Sequence, residues 1–124
     1  MVTRADVERA AEAIRGRVRR TPVLDASEIA PGLRLKAELF QFAGSFKARG
    51  VTNRLDALTR EERERGVIGV SAGNHAAALA WGAARARVDA LVVMNANASP
   101  YKVAKARSYG ATIDLEARDM GEVF

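Results

Sequence analysis

The chain has 124 residues, 48% hydrophobic and 28% charged, with a formal net charge of +5 and no cysteine. That length supports one domain with a modest core, and no apolar run approaches the about 18 residues that a bilayer-spanning helix needs. The charged opening Met1-Val2-Thr3-Arg4-Ala5-Asp6 is unlike a secretory leader, so a cytoplasmic protein is expected, with neither a disulfide framework nor a thiolate metal site.

The first expected element is a helix from about Arg4, capped by Thr3 with Asp6 in the capping-box place. Val7, Ala10, Ala11, Ile14 and Val18 then fall at helical spacing, and Thr21-Pro22 ends it. Arg15, Arg17, Arg19 and Arg20 lie near its end, where cations favour the helix dipole. Val23 and Leu24 begin a short extended piece, and Pro31-Gly32 signals a turn. Leu33 to Leu39 alternates apolar and charged residues, as a half-buried strand does. A loop over Phe40 to Gly44 leads to a helix from Ser45, a good cap, to about Leu58. Thr59 opens a second short helix with Glu62 in the capping-box place, and Gly66 ends it. In that helix Arg60, Arg63 and Arg65 are interleaved with Glu61, Glu62 and Glu64, the pattern of a solvated face.

From there strand and helix alternate. Val67 to Ser71 reads as a strand, Ala72-Gly73-Asn74 as a tight turn, and His75 to about Arg85 as an alanine-rich helix. Ala90 to Met94 is a second strand. Ser99-Pro100 starts a helix that stops at Gly110, and Ala111 to Leu115 is a third strand. A further helix start is expected near Asp119. Such units imply an α/β fold, three-layered, with a short parallel sheet. The basic residues form no single patch, and four Phe, two Tyr and one Trp make no stacking series, so nucleic-acid binding is not expected. The single histidine, His75, leaves no expectation of a zinc site. Asp114, Glu116 and Asp119 surround a strand exit and are expected to face solvent.

Two loops could carry chemistry. In Gly44-Ser45-Phe46-Lys47 a lysine sits in the first turn of a helix, an end that prefers anions. That field favours the neutral amine, which is the nucleophile towards an aldehyde, and Gly44 would let a flat group approach the backbone. In Ser71-Ala72-Gly73-Asn74-His75, backbone N–H groups at a helix start can hold a carboxylate, and Asn74 offers both a donor and an acceptor. Each loop has a plainer reading: a solvated lysine in the first, and in the second a helix capped by Asn74. The sequence has no P-loop, GxGxxG, HExxH or GxSxG pattern.

Together the loops resemble a known family. Residues 36–50, Lys-Ala-Glu-Leu-Phe-Gln-Phe-Ala-Gly-Ser-Phe-Lys-Ala-Arg-Gly, resemble the lysine motif of pyridoxal-phosphate enzymes of the tryptophan-synthase-beta fold type. Residues 64–76, Glu-Arg-Gly-Val-Ile-Gly-Val-Ser-Ala-Gly-Asn-His-Ala, resemble their substrate and ring loop. Val92-Val93-Met94, Ala98-Ser99-Pro100, Lys102-Val103 and Tyr109-Gly110-Ala111 continue the likeness, which is greatest to the threonine/serine dehydratases and serine racemases. The resemblance implies that Lys47 carries pyridoxal 5'-phosphate as a Schiff base and later moves the α proton. It implies that Phe46 flanks the ring, that Asn74 bonds the ring hydroxyl, and that Ser71, Gly73, Asn74 and His75 hold the substrate carboxylate. The implied reaction is β-elimination of water from L-threonine or L-serine, giving a 2-oxo acid and ammonia. Racemases of this family carry a serine base directly before Gly-Asn-His. Here that position is Ala72, which cannot take a proton, so dehydratase is favoured over racemase.

The departures are Ala43 where threonine is common, Asn95 where proline is usual, and Arg87 where a glycine tends to end the helix in a left-handed turn. The glycine-rich phosphate loop and the pyridine-nitrogen contact, which relatives carry well downstream, have no counterpart in these residues. Residues 1–50 are therefore expected to be the opening of a large cofactor domain, and residues 51–124 an incomplete small domain. The alternatives are a catalytically inactive, self-associating folding module and a racemase-like enzyme. The partners implied are a small amino acid and either further copies of the chain or a missing C-terminal half, with no membrane.

Overall fold

The computed structural model describes residues 1–116; the expected helix start at Asp119 lies outside them. Helix α1 spans Arg4–Ala13 and carries the expected capping box, with the Thr3 amide donating to Asp6 at 2.8 Å and the Asp6 amide to the Thr3 hydroxyl at 3.3 Å. It stops short of Val18. Gly16 takes φ +73, and tight turns link Arg15 to Glu12 and Arg17 to Ile14, so glycine's freedom overrides the apolar spacing. No residue within α1 is buried; Ile14, just past its end, is.

Strands β1 (Val23–Asp25) and β2 (Arg34–Lys36) pair antiparallel, with Leu24 opposite Leu35. The alternation over residues 33–39 promises a longer, half-buried strand, and here the structure differs. The Ala37 amide donates to the Pro22 carbonyl, the last link to the pair, and the chain then winds into a 3-10 turn at Glu38–Phe40. All six strand residues are exposed, because nothing among the described residues packs over this hairpin. A second 3-10 turn, Phe42–Gly44, contains left-handed Ala43 (φ 57) and leads into α2, Lys47–Asp56. Ser45, the expected cap of α2, makes no side-chain bond; Phe46, one residue later, holds the cap position, also without one.

Helix α3 (Arg60–Arg65) has its Thr59–Glu62 capping box and ends at Gly66, as expected. The remaining chain forms β3 (Val67–Val70), α4 (Asn74–Ala86), β4 (Ala90–Val93), α5 (Pro100–Ser108) and β5 (Thr112–Asp114). The strands make one parallel sheet in the order β3-β4-β5, with Val67 beside Ala90 and Val92 beside Ile113. This is the expected α/β class with a short parallel sheet.

The core gathers around α4, which is buried from Ala76 through Ala83. A helix apolar all round belongs in an interior, and its small residues let neighbours come close. At Gly82 an added Cβ would collide with Val51 Cγ1, so α2 crosses α4 closely there. On β4, Ala90 and Val92 are buried while Leu91 and Val93 are only half-buried, so one sheet face takes the helices. The Trp81 and Phe42 rings stack 4.8 Å apart, fixing the segment before α2 onto α4.

Candidate active site

Lys47 is the first residue of α2 and Asn74 the first of α4. Helices α2 and α4 pack against each other, and Lys47 comes near enough to the first turn of α4 for its charge to act on His75. Lys47, Phe46 and His75 share the wall of an open cavity of about 630 Å³, whose apolar side includes Leu55, Ile68 and Leu79. The Lys47 Nζ lies 5.0 Å from the centre of the Phe46 ring, which is itself 58% exposed. Lys47 is exposed on this cavity, and of the 71–75 segment His75 alone shares its wall.

His75 is half-buried, and its pKa is lowered, first by loss of hydration and then by the positive charge of Lys47. A neutral imidazole beside the amine can accept a proton. Gly69 on β3 makes room for Leu79: a side chain there would collide with Leu79 Cδ2, whereas His75 Nε2 would lie at an ordinary contact distance of 3.7 Å.

Ser71 and Gly73, in the turn ahead of α4, and Asn74, its first residue, are not part of the cavity wall. The Gly73 amide donates to Ser71 Oγ at 3.1 Å, so within this turn it is engaged internally. Gly73 rather than Asn74 occupies the cap position, without a side-chain bond, and Asn74 is exposed. Two features escape a reading of the sequence. Lys105 on α5 donates to the Ala43 carbonyl at 3.4 Å, bringing a second ammonium to the Gly44 turn across 62 positions of sequence. Arg49 grips Glu38 ahead of α2. Neither lies in a local motif, so no spacing signals them. Asp114 turns its carboxylate to the Glu116 amide at 2.8 Å, and Asp119 lies outside the described residues.

The class defined here is an α/β protein with a cavity-lining lysine at a helix N-terminus beside a neutral histidine turn. The family follows: residues 14–122 match the pyridoxal-phosphate dependent enzyme family, and the chain belongs to it. It is 36% identical to the catabolic L-threonine dehydratase TdcB of Staphylococcus aureus, over 98% of this chain and 37% of that protein. Maize serine racemase is 36% identical with a TM-score of 0.86, covering 93% of this chain and 36% of that one. A threonine deaminase from T.th. is 38% identical with a TM-score of 0.83, covering 98% and 40%. The chain thus spans about 37% of the length of the curated relatives it matches.

The residues present suit the aldehyde end of the cofactor. They supply a primary amine at the mouth of a cavity, an exposed aromatic face beside it, and a neighbouring imidazole kept neutral.

Proposed function

We propose that this chain contributes the cofactor lysine and the substrate turn of an enzyme that removes water from L-threonine or L-serine, giving a 2-oxo acid and ammonia. The observation that carries this reading is the shared cavity of Lys47 and His75, from two motifs far apart in sequence. Bound pyridoxal phosphate supplies an aldehyde for covalent attachment and an electron-withdrawing ring. Lys47 would be the residue that attaches and that carries the α proton. Phe46 would border the ring, and Asn74 would bond the ring hydroxyl. The start of α4, with Ser71, Gly73, Asn74 and His75, receives the substrate carboxylate, since the N–H groups of a helix's first turn favour an anion. Ala72 offers no base on the opposite face, which favours elimination over racemisation.

On this reading residues 1–50 open a larger cofactor domain, residues 51–124 belong to a smaller one, and the setting is the cytoplasm. The experiment is to add pyridoxal phosphate, reduce with borohydride and map the modified peptide. Lys47 is expected to be labelled ahead of Lys36, Lys102 and Lys105, and the visible absorbance of the bound cofactor is expected to vanish in Lys47→Ala. Labelling spread evenly over the four lysines would overturn the assignment.

A second reading, association with further copies of the chain or with a complementary polypeptide, is favoured by exposed Leu24, Leu35, Leu39 and Phe40 on the hairpin and the turn after it. Sedimentation of the chain checks it, and a clean monomer at all concentrations would count against self-association.

A further inference from the structure

Helix α2 begins without an ordinary cap. Phe46 makes no side-chain bond there, and the buried Ser45 hydroxyl has no hydrogen-bond partner. The first turn is held from the side instead. Arg49 donates from Nε to Glu38 Oε2 at 2.9 Å and from Nη2 to Glu38 Oε1 at 2.6 Å, a fork on both carboxylate oxygens. The same Nη2 reaches the Arg19 carbonyl at 3.3 Å and the Thr21 hydroxyl at 3.4 Å. Thr21 in turn donates to Glu38 Oε1 at 2.6 Å, and Thr21 is buried. The Arg49 guanidinium holds the Glu38 carboxyl below the usual carboxylate range, so the pair stays charged at neutral pH.

Arg49 follows Lys47 by two positions. On an α-helix that separation turns a side chain by about 200°, so the two residues leave opposite sides of the same turn. Lys47 goes to the cavity with His75, and Arg49 goes to the Glu38 segment. Rotation of the uncapped turn about its axis would swing the amine along the cavity wall, and the Arg49 fork opposes that rotation.

We propose that the Arg49–Glu38 pair, braced by Thr21, is a positioning clamp that aims the Lys47 amine into the cavity. The inference rests on Lys47 being the cofactor lysine, and its test separates the two. The lysines are reductively methylated with ¹³C, and the Lys47 methyl signal reports its place against the Phe46 ring through the ring-current shift. This readout needs no cofactor. In Glu38→Gln and in Arg49→Gln the Lys47 signal is expected to move towards that of a free methylated lysine in both variants, with the Lys102 signal unmoved. The double variant is expected to be no worse than either single one, because both remove the same link. Trapping of pyridoxal phosphate at Lys47 is expected to fall about tenfold, since a small misplacement of a reacting group has effects of that order or larger.

The two substitutions change the local charge in opposite senses. Shifts of the Lys47 signal in opposite directions would therefore mean a field effect and overturn the clamp, as would an unmoved signal in folded variants. Folding is followed by circular dichroism and Trp81 fluorescence. If either variant fails to fold, Thr21→Val and Arg49→Lys take its place, with smaller shifts expected in the same direction and unchanged signals overturning the clamp. Absence of preferential trapping in the parent chain would defeat the cofactor assignment alone, leaving the methyl signals to decide the positioning role.

Discussion

At the scale of single residues, backbone conformation and burial give the sharpest expectations. Arg87 closes α4 at φ 55, ψ 50, with the Val88 amide returning to the Ala83 carbonyl at 3.0 Å. A left-handed L-residue costs roughly 1–2 kcal/mol, partly offset by glycine's greater loss of freedom on folding. Arg87→Gly is therefore expected to stabilise the fold by about 1 kcal/mol and raise the thermal midpoint by about 4 °C, read by calorimetry. His75 tests the electrostatics. Its depressed pKa means that the folded state favours the neutral ring. The associated stability is fully present above the ordinary histidine value and is lost as pH falls through the lower folded value. Urea midpoints at pH 7 and pH 5 are expected to differ less in His75→Gln than in the parent chain. The left-handed turn at Arg87 was legible in the sequence as a departure from glycine. The neutrality of His75 was not, because it depends on packing against β3 and on a lysine brought in by α2.

At the scale of elements, caps and short-range periodicity were legible. The Thr3–Asp6 and Thr59–Glu62 boxes formed as their spacing predicts, and the β3 to β5 alternation gave its parallel sheet. What failed was the length of α1, cut short ahead of left-handed Gly16, and any expectation that required a distant surface. The residues 33–39 alternation assumes a core on one side, and the hairpin has none among the described residues. Ser45 has the chemistry of a cap, but left-handed Ala43 and Gly44 lead it in one residue ahead of the cap position, and its hydroxyl bonds nothing. Nor does sequence reveal how α3 is held. Arg63 reaches the Leu55 carbonyl at 2.7 Å and those of Leu58 and Ala86 at 3.4 Å, so one guanidinium serves carbonyls at the C-terminal ends of α2 and α4. Arg63→Ala is expected to cost about 1.5–3 kcal/mol in chemical denaturation, the range for hydrogen bonds from a charged donor. Thr59→Ala, which removes only a cap, is expected to cost about 1 kcal/mol.

At the scale of the whole molecule, the α/β architecture and the two candidate loops could be read from the chain, whereas their meeting place could not. That meeting depends on how closely α2 and α4 approach, and the approach is set at Gly82. Gly82→Ala forces Val51 and Leu55 outward and is expected to destabilise the fold by about 1–3 kcal/mol, with a matching change in Trp81 fluorescence on unfolding. The hairpin belongs to the same scale. Replacing exposed Leu39 and Phe40 by glutamate is expected to reduce concentration-dependent association in sedimentation, without lowering the unfolding midpoint.

The glycine in the middle of α4 therefore acts as a gauge block between two rods. Thickening it by one methyl group would spread the rods along their length, and the lysine end of one would drift from the histidine end of the other. The spacing of Lys47 and His75 at the mouth would then change, although the altered atom sits two turns away from it.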